Sequence, residues 1–221
     1  MANWFSSMEH YKDGLRRVTL SVWLFLSIAL VAFVILSPAL WSKSEVGVQL
    51  GSEVPTQLLV DADGHLGIED VLALPDSAFQ PLDAPLNKGY SNSVHWLKVS
   101  APQVPVDPRS GADDELWLSI LPSYLDEVRL YQFDGAQWQQ RRSGDTVPMA
   151  SRIQVRQLLF PLLPDKPFYL RVQTTSPVNV DAGVWRASGL LTQFSSVEWA
   201  SGVHQGINLV LVLLIIGAAL V

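Results

Sequence analysis

The middle of the sequence predicts an antiparallel β-sandwich, and three observations carry that prediction. Short apolar runs alternate with polar residues at a period of two. Turn signals such as Asp63-Gly64, Asp134-Gly135 and Ser143-Gly144-Asp145 recur at intervals of about 8–12 residues. Almost no stretch of the middle shows a face of helical period. All three features are densest between residues 115 and 174, and about seven to nine strands are expected. Two hydrophobic segments of a different kind flank this region.

The bulk composition explains why the chain has to be read in parts. It holds 221 residues, enough for one ordinary domain and additional segments. Mean hydropathy is positive at +0.22 although 16% of residues are charged, and the apolar excess lies in the first forty residues and the last fifteen or so. A net charge of −6 argues against a nucleic-acid binder, which needs a basic patch to neutralise phosphates. The absence of cysteine removes disulfides, thiolate zinc sites and cysteine nucleophiles, and fits any compartment.

Residues 1–17 are polar, contain Lys12 and end in Arg16 and Arg17, and residues 18–37 carry no charge. Roughly 20 residues at about 1.5 Å rise cross a hydrocarbon core of about 30 Å. The basic flank places 1–17 in the cytoplasm and the following chain outside. Residues 18–40 read either as an uncleaved signal anchor, favoured by the length of the apolar run, or as a signal peptide cleaved near Ser37-Pro38-Ala39. Residues 41–57, with Gly47, Gly51 and Pro55, read as a linker, and residues 58–200 as the extracytoplasmic sandwich.

Within 58–200, residues 58–68 suggest a hairpin-like edge turning at Asp63-Gly64, and residues 69–74 a single helical turn stopped by Pro75. Residues 75–89 are irregular, with three prolines. The SVHWLKV run is apolar on much of both faces and reads as a central strand. Residues 102–114 form a polar loop rich in Pro and Asp. Strands follow at 115–121, 128–133, 137–140, 155–163, 168–174 and 179–185. Residues 207–221 form an uncharged run of fifteen, short of the roughly 20 needed to span a bilayer. Residues 203–221 are therefore expected to be the start of a transmembrane helix interrupted by the end of the sequence.

Few residues suggest reaction chemistry. The four histidines have no metal-ligand spacing. Asp61-Ala62-Asp63-Gly64 opens like a calcium loop but lacks its later oxygen ligands, which favours a plain turn. No pair of carboxylates stands out for glycosidase work, and nucleophile-elbow and phosphate-loop motifs are missing. No metal or cofactor is expected. The aromatics offer more: Trp96, Trp117, Tyr131, Trp138, Tyr169 and Trp185 all fall on or beside strands. They either fill the core or stack on a ligand. Trp117 and Tyr131 are out of phase with the Leu116/Leu118/Ile120 and Val128/Leu130 series, which predicts an outer, ligand-facing position. Arg171 could offer its fork of donors to a carboxylate or sugar hydroxyls, or form a structural ion pair with Asp126 or Asp145.

The order of several motifs resembles a known family. HWLKVS after Gly89, then LWLSILPSYLDEVRLYQFDG, SGDTVP followed by Arg152, FPLLPDKPFYLRVQTTS, VWRAS, and the segment from Trp199 to Gly206 recur in that order. Together they are similar to the second type of extracellular sensor region in bacterial seven-transmembrane receptors with diverse intracellular signalling modules, the 7TMR-DISM family. The likeness covers residues 58–221. Ala101-Pro102 and the long loop after it stand where the family has an Asn-containing turn, and the receptor core and output domain are absent from these residues. The resemblance implies a jelly-roll-like sandwich similar to carbohydrate-binding modules. It also implies a non-catalytic role: sensing a ligand on the periplasmic side of a bacterial inner membrane for a kinase, cyclase or phosphatase. It matches Arg152 to a recurring arginine. The expected ligand-contact residues are thus Trp117, Tyr131, Arg152, Arg171, Trp96 and Trp185. The expected partners are a small molecule, carbohydrate being one class, the lipid bilayer and a second copy of the chain. A protein-interaction or dimerisation domain is the alternative function.

Overall fold

Alternating sequences fold here into two antiparallel sheets, seen in a computed structural model that describes residues 47–106, 114–148, 153 and 155–219. The segment expected to cross the membrane at 18–40 lies outside the described residues, as does Arg152. One compact unit covers Glu45–Val197 and a second includes Glu198–Val221.

The strands are β1 (Gly47–Gln49), β2 (Thr56–Asp61), β3 (Gln80–Leu82), β4 (Leu86–Gly89), β5 (Val94–Val99), β6 (Leu116–Leu121), β7 (Glu127–Phe133), β8 (Trp138–Ser143), β9 (Leu158–Leu162), β10 (Phe168–Gln173) and β11 (Val178–Arg186). Between β2 and β3 lie helix α1 (Ile68–Ala73) and a 3-10 turn (Asp76–Ala78), and helix α2 (Ala187–Ala219) follows β11. One sheet runs β3-β2-β5-β10-β7-β8. The other runs β1-β11-β6-β9, with β4 also paired to β11.

Period-two alternation decides which face each strand buries. Leu58, Leu97, Val99, Val128, Leu130, Phe168, Leu170 and Val172 from the six-stranded sheet share one buried cluster with Leu116, Leu118, Ile120, Phe160, Val180 and Val184 from the other. That shared core makes the two sheets a sandwich. The Leu/Val series expected to face inward does so.

Several local expectations are corrected. The hairpin predicted at Asp63-Gly64 does not form. The Asp61 carboxylate accepts hydrogen bonds from the amides of Gly64 (2.9 Å) and Leu66 (3.0 Å), and Asp70 accepts one from the Gly67 amide (2.8 Å). These satisfy amides of the turn and of the N-cap residue Gly67, and lead the chain into α1 instead of back along β2. The stretch 41–57 is more than a linker, because Gly47–Gln49 pairs with β11. Gly47 lies opposite Trp185, and a Cβ there would come within 2.3 Å of the indole, so only glycine lets this strand approach. The irregular proline-rich region holds β3 and β4, with Pro81 tolerated on an edge strand. The last part of the expected sandwich, 187–200, is helical. Among the described residues, no helix is long and apolar enough to cross a membrane.

Candidate functional site

A cleft of about 450 Å³ opens at the rim of the sandwich where β8 and β9 face each other. It is built from three pieces: the loop carrying Gln103 and Val104, the start of β6 with Asp114 just before it, and the turn after β9. Arg141 and Arg186 supply its cations. Arg141 takes an inward phase on β8, opposite Leu130, but β8 is an edge strand. Its guanidinium therefore reaches across to the other sheet, donating from Nη1 to the Pro161 carbonyl (3.2 Å). Arg186 ends β11 and donates to the carbonyls of Pro105 (3.3 Å), Asp114 (3.1 Å) and Val104 (3.3 Å). Its planar fork thus pins the cleft loop to the last strand.

The same wall anchors a helix. The Asp114 carboxylate accepts from the Ser188 amide (3.0 Å) and hydroxyl (2.6 Å), and the Ala187 amide donates to the Glu115 carbonyl (2.8 Å). Asp114 therefore lines the cleft and satisfies an amide in the first turn of α2, where a negative charge also suits the helix dipole. Arg186 is the residue immediately before that helix.

The residues expected to contact a ligand lie elsewhere. None of Trp96, Trp117, Tyr131, Arg171 and Trp185 lines the cleft. Trp117 and Tyr131 do sit on outer sheet faces, as their phase predicts, but the chain itself covers both positions. Tyr131 is buried with Trp96, Tyr169, Val94, Phe79 and Val71 beneath α1 and the 3-10 turn. Trp96 and Tyr131 stack at 5.6 Å. Trp117 lies opposite Trp185 in the other sheet, half-buried against Leu190 and Phe194 of α2. The open, ligand-facing position expected of Trp117 and Tyr131 is corrected for one reason, and Trp96 and Trp185 take the core-filling alternative. An outward phase leaves a side chain open only if no helix packs on that face.

Arg171 alone among them joins a polar cluster. Register aligns it with Arg129 on β7, and Arg129 with Arg142 on β8. Glu127 binds Arg129 (2.6 Å) and Arg142, and lies 3.8 Å from Arg171. Burial works to raise the Glu127 pKa, but hydrogen bonds and charge from Arg129 and Arg142 hold it below the ordinary carboxylate range. Burial, then the Arg129 charge, lowers that of Arg171. Arg171 thus pairs with Glu127, where the ion-pair alternative had named Asp126 or Asp145. Arg129, Arg141, Arg142 and Arg186 escaped the sequence reading. The WQQRRS alternation was the available sign that Arg141 and Arg142 point to opposite faces.

The family model described as 7TMR-DISM extracellular 2 matches residues 55–186, more than half of the chain. The match runs from just before β2 to the end of β11. No curated protein matches the chain.

Proposed function

The chain belongs to the 7TMR-DISM extracellular 2 family, an extracellular sensor module of membrane receptors, and from that membership we propose that its rim cleft binds a small molecule and passes the event to α2. One observation carries the reading: Asp114 and Arg186 line the cleft, Asp114 holds Ser188 at the start of the helix, and Arg186 holds the Asp114 backbone. A ligand that competes for the Asp114 carboxylate, or for the Arg186 guanidinium that holds its backbone, changes what anchors Ser188. It biases the helix only to the extent that it binds the two arrangements with different affinity.

The cleft suits a ligand of modest size with several hydrogen-bonding groups, carbohydrate among them. Cations at Arg141 and Arg186 stand beside Asp114, Glu115 and Asp165, with proline and leucine between. The module itself is read as non-catalytic, on the periplasmic side of a bacterial inner membrane, with residues 18–40 as a signal anchor or signal peptide and 203–221 as the start of a transmembrane helix. The fold is read as a jelly roll, and strand order supports this. Numbering β4 to β11 as one to eight, one sheet runs one-eight-three-six and the other two-seven-four-five.

The test is a thermal-shift screen of the full chain in detergent against neutral sugars, organic acids and short peptides. A ligand at about a hundred times its Kd adds about 2.7 kcal/mol, or about 5–10 °C in Tm for a domain of this size. The shift should disappear in Gln103→Trp, which fills the cleft from an exposed position. Ligand should also alter hydrogen exchange at 187–190, and Asp114→Ala should abolish that change. No shift with any class, or a shift indifferent to Gln103→Trp, overturns the cleft reading. A protein recovered by the sandwich while small molecules do nothing supports an interaction domain instead.

A further inference from the structure

A second constellation lies on the outer face of the six-stranded sheet, away from the cleft. Register sets Arg171, Arg129 and Arg142 side by side on β10, β7 and β8, with adjacent strands about 4.8 Å apart. Three like charges at that spacing repel one another, and this happens in a chain of net charge −6. The carboxylate they share is Glu127. Asp61 also favours the Arg171 charge, but its oxygens are engaged by the amides of Gly64 and Leu66. Three guanidinium groups therefore face two carboxylates, and the face retains positive charge.

Donors are in surplus as well. Arg171 spends Nη1 on Gln173 (2.8 Å) and Nη2 on the Gly64 carbonyl (3.4 Å). Arg129 spends Nε and Nη2 on Glu127 and also has the Tyr131 hydroxyl as a partner, and Arg142 spends Nη2 on Glu127. A guanidinium has five N–H donors, and the side chains of Arg142 and Arg129 are 51% and 31% exposed. Opposite Arg171 on β5, the fully buried indole N–H of Trp96 has no hydrogen-bond partner. A face rich in unspent donors calls for an acceptor.

Along β8 the same side continues from Arg142 through Gln140 to Trp138, in two-residue steps of about 6.7 Å. The half-buried Trp138 ring packs 5.6 Å from Phe133, which is 40% exposed, and edge-on to Tyr169. The strip thus has a guanidinium end, an amide middle and an aromatic end. We propose that this face binds an elongated ligand whose oxyanionic end, carboxylate or phosphate, sits against Arg142 and Arg129, with the buried Arg171 charge behind them, while an apolar or ring portion lies on Trp138.

The full chain in detergent is titrated with glucuronate and phenylpropionate, with glucose and phenylpropanol as neutral counterparts, and with inorganic phosphate. Tryptophan fluorescence and equilibrium dialysis read the binding. The anionic probes should bind saturably and more tightly than their neutral counterparts, with affinity falling as salt rises. Arg142→Gln, at an exposed position, should weaken them roughly tenfold. Glu127→Gln, which removes the competing carboxylate, should tighten them. Phosphate competing as well as the carboxylates identifies any oxyanion as sufficient, whereas carboxylates alone identify the planar two-oxygen fork. Gln103→Trp in the cleft should leave all of this unchanged. Equal binding of neutral and anionic probes, no saturable binding of any oxyanion, or indifference to Arg142→Gln overturns the proposal. So does loss of oxyanion binding in Gln103→Trp, which would place the anions in the cleft.

Discussion

His95 lies on β5 in the same phase as Leu97 and Val99, fully buried, with Nδ1 lacking a hydrogen-bond partner. Burial, then the Lys88 charge, lowers its pKa from the usual 6.5, against a smaller upward pull from the Ser93 backbone. The unfolded chain therefore takes up this proton before the folded chain as pH falls. Stability tied to the neutral ring is complete above about pH 6.5 and drains away as pH falls toward the lower folded value. One proton contributes a slope of at most about 1.4 kcal/mol per pH unit. Urea unfolding between pH 7 and 5 should show a steeper loss in the wild-type chain than in His95→Leu. Parallel profiles would show that His95 does not titrate against folding. The buried aromatics are a related case at the same scale. For Tyr131 the alternation gave the right face, but the burial of that face depends on Phe79 and Val71, some fifty residues earlier in the chain.

Among the elements, those with a strict period of two over six or more residues were legible. The outward Trp117 and inward Leu116, Leu118 and Ile120 mark β6, and Phe168, Leu170 and Val172 mark the inner face of β10. β1, β3 and β4 have three or four residues, too few to alternate, and exist through their neighbours' open hydrogen-bonding groups. The arginine row was illegible for a related reason. Arg171, Arg129 and Arg142 meet only through the register of three strands, which no single strand encodes. The turn after β2 depended on one side chain. Asp61, 6% exposed, holds two amides that would otherwise lie unsatisfied before α1. Asp61→Ala should cost about 3–6 kcal/mol, the scale of losing two hydrogen bonds to a carboxylate. Hydrogen exchange over 62–74 should rise well above that of β10, and Asp61→Asn should fall between. Unchanged protection of α1 in Asp61→Ala would mean that packing of Val71 alone holds the helix.

For the molecule as a whole, the family match and the physical unit have different ends. The match starts at residue 55 and stops at 186, whereas the compact unit runs Glu45–Val197. The difference is structural substance. Residues 47–54 add a strand beside β11 and bring Leu50 and Val54, 4% and 3% exposed, into the shared core. Residues 187–197 bring Leu190 and Phe194 over Trp117 and Trp185, and the Ser188 contacts to Asp114. Removing a buried aliphatic side chain typically costs about 2–5 kcal/mol, and a small domain has only about 5–15 kcal/mol in total. A chain of residues 45–197 should therefore unfold cooperatively in urea. A chain of residues 55–186 should lose much of that stability and expose Trp185 and Trp117 to an aqueous quencher. If both unfold at the same midpoint with equal quenching, the sandwich is complete without its first strand and its helix. The helix would then have no hold on the cleft wall through which to carry a signal.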